Sequence, residues 1–144
     1  MFSKTCEYGI RAAIFIADES TKGRKTGIKE IAGQIDSPEA FTAKILQTLV
    51  KHRIITSSKG PSGGFYIPEE SLSKIKIAEI VSAIDGDAVF KGCALGLAEC
   101  SEDSPCPLHS EFKRIRDDLE AMLRSVSIGD LTVGLRLKQT FLKR

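Results

Sequence analysis

Three cysteines and a histidine fall within seventeen residues of this 144-residue chain, in the order Cys93-x6-Cys100-x5-Cys106-x2-His109. Thiolate sulfur and neutral imidazole are the donors that suit an iron–sulfur cluster or zinc. The same stretch carries Gly92, Gly96, Pro105 and Pro107, which break long regular structure and let a loop bend its donors toward one centre. Structural zinc usually shows a tight pair of cysteines about two to four residues apart, and neither cysteine interval here is that short. Without any inorganic partner, Cys93 could close a reversible disulfide with Cys106 or Cys100. On donor types and spacing alone, an iron–sulfur site, structural zinc and a thiol switch all stay open. Cys6 lies apart from the group and receives no assignment.

The elements that must position these donors can be read from periodicity. Residues 5–18 form a helix that is apolar on nearly every side, with Ile10, Ala13, Ile14 and Ala17 on one stripe and Ala12, Phe15 and Ile16 on another. A loop over residues 20–27 precedes a short amphipathic helix marked by Ile28, Ile31, Ala32 and Ile35. Asp36-Ser37-Pro38-Glu39 supplies cap-type side chains, a proline suited to a first helical turn and an acid near a positive helix end. The next helix covers residues 38–52, with Phe41, Ile45, Leu46 and Leu49 facing inward. Two β-prone runs, 53–57 and 65–68, flank a glycine-rich tip and predict a hairpin. Helix, turn, helix and hairpin in that order describe a winged helix. A helix over 77–85 follows, ended by Gly86.

Past the cysteines, Phe112, Ile115, Leu119, Met122 and Val126 recur at intervals of three and four among charged neighbours. Such a narrow seam on a charged helix predicts a dimerisation helix in preference to one packed on its own domain. Residues 128–144 read as a further helix interrupted by Gly129 and Gly134. The fold class is thus mainly α with a small β-hairpin wing, a winged helix-turn-helix plus a long dimerisation helix. The expected division is a DNA-binding domain over 1–86, a cysteine-rich loop over 87–109, and the dimerisation helix with the C-terminal segment over 110–144.

The net charge of +2 identifies no partner, but its distribution does. Residues 40–68 carry Lys44, Lys51, Arg53 and Lys59 and no acid, whereas residues 92–109 carry only Glu99, Glu102 and Asp103. A basic segment on a winged helix points to phosphate contacts. The second helix of a helix-turn-helix reads base edges from its N-terminal end, so Ser37, Pro38, Glu39, Thr42 and Gln47 are candidate readers. Gln47 could bind adenine through two hydrogen bonds and Thr42 could touch a thymine methyl. Lys44, Lys51 and Lys59 are placed as phosphate contacts, with Ser62 and Gly63 at the wing, and Lys29 is a further DNA-binding candidate. No phosphate-binding Gly-Lys-Ser/Thr loop, nucleophile elbow or His-Glu-x-x-His pattern occurs, and only His52 and His109 could serve as imidazole bases. An enzyme is not expected. No leader or membrane span fits the sequence, so a cytoplasmic location is expected.

Taken together, several stretches resemble the winged-helix repressors of the IscR and NsrR type. They are Glu7-Tyr8-Gly9-Ile10-Arg11-Ala12, Ile28-Lys29-Glu30-Ile31-Ala32, Leu46-Gln47-Thr48-Leu49 and Lys59-Gly60-Pro61-Ser62-Gly63-Gly64-Phe65. Further on come Ile80-Val81-Ser82-Ala83-Ile84-Asp85-Gly86 and Ser104-Pro105-Cys106-Pro107-Leu108-His109. The resemblance implies a homodimer, crossed through the helix near residues 107–126, on a pseudo-palindromic operator of double-stranded DNA. It also implies an iron–sulfur cluster on Cys93, Cys100 and Cys106. In the IscR pattern a histidine after the third cysteine completes a 2Fe–2S site, the position of His109. In NsrR-like members a carboxylate on the first helix, often the partner subunit's, is the fourth ligand of a nitric-oxide-sensitive 4Fe–4S cluster, the position of Glu7. Family members without cysteines in this loop are cluster-free regulators of cysteine metabolism. The implied function is a repressor whose operator affinity follows nitric oxide, redox state or iron–sulfur supply. A DNA-independent iron–sulfur carrier is the reading from another class.

Overall fold

In the structure, a computed structural model describing residues 1–143, the first helix sits at the centre of the packing. Helix α1 (Lys4–Thr21) starts where the Ser3 hydroxyl accepts from the Cys6 N–H at 3.0 Å. Its Ala12, Ala13, Ile16 and Ala17 are fully buried, as an all-round apolar helix requires. Short side chains let neighbours approach closely. At Gly9 an added Cβ would come within 2.1 Å of Ile84 Cδ1, so a side chain here would have to displace the tip of Ile84.

Helix α2 (Ile28–Ile35) buries Ile31, Ala32 and Ile35 and ends at Asp36, which holds φ 54° and ψ 55°. Asp tolerates that left-handed conformation better than most residues. Helix α3 (Glu39–Lys51) begins after Pro38 and buries Thr42, Ile45, Leu46 and Leu49. The turn chemistry differs from the expectation. Pro38 is the N-cap rather than the first helical residue, and neither Asp36 nor Ser37 caps α3, because Asp36 is consumed in closing α2.

Strand β1 (Thr56–Ser58) pairs antiparallel with β2 (Gly64–Tyr66), Thr56 opposite Tyr66. Thr26 adds a third rung, exchanging backbone hydrogen bonds with Phe65 at 3.0 and 2.8 Å. Gly64 makes this possible, since its φ of 142° and the Thr26 carbonyl 2.8 Å from a would-be Cβ exclude any side chain. The wing is thereby anchored to the body at its base.

Helix α4 (Glu69–Leu72) and helix α6 (Ala88–Lys91) are single turns that the periodicity did not show. Helix α5 (Ile77–Asp85) ends at Gly86 as expected. Helix α7 (His109–Ser125) is the long helix, and Val126, the last seam position, is its C-cap rather than part of it. Helix α8 (Ile128–Arg136) starts on a Ser127–Asp130 capping box and packs along α1 with Ile128 and Thr132 fully buried. The expected C-terminal helix is thus shorter, ending at Arg136; Arg144 lies outside the described residues. Ile128 and Thr132 of α8 are therefore buried together with the side chains of α1. Helix α7 itself packs on α5 and α6, and α5 packs on α1 and α3.

Candidate functional site

The cysteine loop lies between α6 and α7, and two of its groups meet directly. Cys100 Sγ stands 3.3 Å from His109 Nδ1, across nine residues of chain. His109 is the first residue of α7, buried, with its N–H bonded to the Cys106 carbonyl at 3.0 Å. Hydrogen bonding from the backbone at Leu95, then at Leu97, holds the Cys93 pKa below the ordinary thiol value, with a smaller contribution from the Cys106 side chain opposing the cost of burial. A thiol so placed reaches the thiolate form, the one that binds metal, more readily than a free cysteine. None of the four cysteines is in a disulfide. Among the described residues no three His, Cys, Asp or Glu side chains converge on a single point as they would around one ion.

Glu7 is not brought to this group within the chain. It is exposed in the first turn of α1 and pairs with Lys4 at 3.5 Å. Cys6 is fully buried, and burial, reinforced by Asp85 and then Glu7, pushes its pKa up to about 12. It is a structural thiol of the core.

One participant had no signature in the sequence. Arg116 is buried on α7 and donates from Nη1 to the Gly92 carbonyl at 2.6 Å, fastening the residue that precedes Cys93. Helical spacing pairs Arg116 with Glu120, yet Glu120 is taken by Arg124 at 2.8 Å. The backbone amides of Leu95 and Leu97 were equally invisible, since any residue supplies them.

Across the molecule, α3 presents Lys44, Gln47 and Lys51 as one exposed stripe, with exposed Pro38 and Glu39 at its N-terminal end. Lys59 and Ser62 are exposed at the wing tip, where the Gly63 N–H bonds the Gly60 carbonyl at 2.9 Å. At Gly63 an added Cβ would meet the Ser58 carbonyl at 2.2 Å, so its first role is to close the turn. Lys29 is exposed on α2 beside the helix-helix turn. Lys29, Lys44, Lys51 and Lys59 form no ion pair among the described residues, which leaves them free for phosphate. Lys25, not singled out from the sequence, joins them: its Nζ lies 3.4 Å from Ser58 Oγ beside the wing.

Two expected readers need correction. Thr42 is fully buried and its hydroxyl donates to the Pro38 carbonyl at 2.9 Å, because position 42 shares the inward stripe of Ile45, Leu46 and Leu49. It cannot meet a thymine methyl. Ser37 is half-buried with its Oγ enclosed and unpartnered, so its hydroxyl is not offered to a base edge.

The seam on α7 divides. Ile115 is 59% exposed, Met122 48% and Phe112 39%, while Leu119 and Val126 pack against the core. Leu108, just before α7, adds a fourth exposed apolar side chain. No helix among the described residues is long and apolar enough to cross a membrane.

Comparison with known proteins agrees with this geometry. The family model described as Rrf2, iron-dependent transcriptional regulator, matches residues 2–134. An HTH-type transcriptional regulator of Aquifex aeolicus is 30% identical over 143 residues, covering 98% of this chain and 96% of that protein. Among solved structures, the IscR of T. potens superimposes with a TM-score of 0.75 at 18% identity, over 97% of this chain and 91% of that one. CymR, the global cysteine regulator of B. subtilis, gives 0.74 at 22% identity, over 92% and 96%. The winged-helix fold and the resemblance to IscR-type regulators hold, and the relatives are regulators of transcription, not enzymes.

Proposed function

The chain belongs to the Rrf2 family of transcriptional regulators, and from that premise we propose that it is a homodimeric operator-binding repressor controlled by an iron–sulfur cluster. Cys93, Cys100, Cys106 and His109 hold the cluster, and a 2Fe–2S core is favoured. The observation that carries this is the Cys100–His109 contact at 3.3 Å, made across nine residues of chain. Three thiols and an imidazole can give each iron of a dinuclear centre two protein ligands, whereas a single zinc ion wants four donors around one point. Amide hydrogen bonds to a ligating sulfur are also a standard means of tuning a cluster's potential. A bound cluster would supply a centre reactive toward oxidants and nitric oxide.

The chain's own residues do the rest. Gln47, Pro38 and Glu39 face base edges from the start of α3, while Lys29, Lys44, Lys51 and Lys59 hold phosphates. Phe112, Ile115 and Met122 form the dimer seam, with Leu119 and Val126 anchoring α7 to the body beneath it. His109 ties the cysteine loop to the first turn of that helix, so loss of its ligand partner frees the helix start. Recognition helices of a dimer must sit about one DNA turn, ~34 Å, apart, and a small change at the seam is enough to lose one half-site.

The experiment is anaerobic purification followed by the visible spectrum, iron and acid-labile sulfide analysis, and operator binding before and after nitric oxide. Equal iron and sulfide, with operator binding lost after nitric oxide, support the reading. A colourless protein that takes up no iron on anaerobic reconstitution sinks it. A second reading is then favoured by the Cys93–Cys106 contact: a thiol switch in which those two form a disulfide under peroxide. Its signature is operator binding that responds to peroxide and recovers with dithiol, with no iron present.

A further inference from the structure

Helix α7 carries four cations, and three of them behave as surface charges. Lys113 pairs with Asp117 at 2.7 Å, Arg114 with Glu111 at 2.5 Å and Arg124 with Glu120 at 2.8 Å. Arg116 turns inward, only 7% exposed. Its Nη1 donates to the Gly92 carbonyl at 2.6 Å, its Nε is enclosed without a partner, and among the described residues no carboxylate forms an ion pair with it. The nearby Asp117 is committed to Lys113. Burying a guanidinium against one neutral carbonyl is costly, and buried charges are as a rule paired. The missing negative charge has one plausible source in the neighbourhood. Arg116 lines a cavity of about 340 Å³ whose wall also includes Cys93, Gly92 and the seam residues Phe112, Ile115 and Leu119. Cysteine loop, buried cation and dimer seam therefore meet at one place.

We propose that Arg116 is the positioning residue that couples the cysteine loop to α7. It holds the loop through Gly92, immediately before Cys93, and supplies the positive charge that answers the anionic thiolate site. Through the seam side chains beside it, a change in the loop becomes a change in how α7 meets its partner. The charge role rests on the cluster reading above; the mechanical tie does not.

The variants are Arg116→Met, which removes both charge and hydrogen bond, and Arg116→Lys, which keeps the charge. In the cluster-free protein, amide exchange over residues 92–97 is followed by mass spectrometry. Arg116→Met is expected to speed exchange there about ten-fold, the loss of one charge-assisted hydrogen bond, while the rest of α7 keeps its protection. In the reconstituted protein the reduction potential should fall by about 60 mV, a ten-fold shift at 59 mV per decade for one electron. Arg116→Lys should keep most of that potential. The ratio of operator affinities with and without the cluster should collapse toward one in Arg116→Met. Should Arg116→Met fail to fold, Arg116→Gln keeps a donor for Gly92 without the charge, and a lowered potential with near-normal exchange supports the charge role. Unchanged exchange and unchanged potential in a folded Arg116→Met protein overturn the proposal. A wild-type protein that never takes up a cluster sinks the cluster reading and the charge role with it, and the exchange comparison still decides the tie.

Discussion

The division of labour on the nucleic-acid face has a quantitative signature in salt dependence. Lys44, Lys51 and Lys59 are exposed and make no ion pair among the described residues, so under the proposed role each protomer offers three phosphate contacts from these positions and the proposed dimer six. Counterion release gives a slope of about −0.9 per neutralised phosphate in log affinity against log salt, hence about −5.4 for the six. Lys59→Gln removes one contact per protomer, and the slope should flatten by about 1.8 with no change in sequence preference. Gln47→Ala should do the reverse. It leaves the slope alone and costs about 1–3 kcal/mol at each half-site, because a bidentate side chain reads one base pair there. The assay is fluorescence anisotropy on a labelled operator recovered from a random-sequence pool, repeated across a salt series and against a scrambled duplex. If Lys59→Gln leaves the slope untouched, or Gln47→Ala weakens operator and scrambled duplex alike, the assignment of these residues is wrong.

Four further perturbations follow from particular side chains. The native cluster-free protein should show Cys93, Cys100 and Cys106 reacting with a disulfide reagent at neutral pH and Cys6 only after unfolding; prompt reaction of all four would contradict the burial of Cys6. Because burial raises the Cys6 pKa from an ordinary 9.0 to about 12, the folded state holds that proton more tightly, so this contribution to stability is full below pH 9 and fades from there toward pH 12, as a pH series of denaturant melts can check. Ile115→Lys or Met122→Lys should give a folded monomer by light scattering and weaken operator binding by about 100-fold or more through lost bivalency; a stable dimer in both variants would place the interface elsewhere. Thr42→Val should cost about 0.5–1.5 kcal/mol of stability by removing the hydrogen bond to Pro38 and leave operator preference intact, whereas a changed preference would restore Thr42 as a reader.

Much of the fold was legible because its elements are governed by local rules. The apolar stripe of α3, the Gly60–Gly64 wing tip and Gly86 after α5 each state their role through spacing or backbone freedom. What the sequence could not show were consequences of packing. Thr42 is not among these, since it falls on the same inward stripe as Ile45, Leu46 and Leu49 and the spacing that sends Gln47 outward already buries it. Asp36 reads as an N-cap for α3, yet its backbone is used to close α2, a competition between neighbouring termini that composition cannot decide. At the cysteine site the donors themselves were plain, since Cys and His declare their chemistry. The supporting groups were hidden: the Leu95 and Leu97 amides are anonymous in any sequence, and Arg116 sits at ordinary helical spacing from Glu120. Its inward turn follows from its place on the buried side of α7, seven residues from both His109 and Leu123.

How far a change at the cysteine loop can travel depends on what α7 rests against. Arg116 fastens the loop to α7, α7 packs on α5 through the side that buries Leu123, and α5 packs in turn on α3. The loop therefore meets α3 through two helix contacts with no intervening linker, while Ile115 and Met122 on α7 stay exposed. A hundred-fold change in operator affinity is worth about 2.8 kcal/mol at 1.4 kcal/mol per decade, within the ordinary range of coupling between sites. One charge-assisted hydrogen bond is worth about 1.5–3 kcal/mol, and a dimer has two copies of the Arg116–Gly92 contact. Making or breaking that contact in step with the loop is thus enough to switch operator binding, without unfolding any element of the winged helix. A regulator built this way should change its affinity for DNA while its thermal unfolding of the winged helix stays nearly constant. A large loss of secondary structure on cluster removal would mean instead that the loop acts by melting the fold, and the tie through Arg116 would have nothing to transmit.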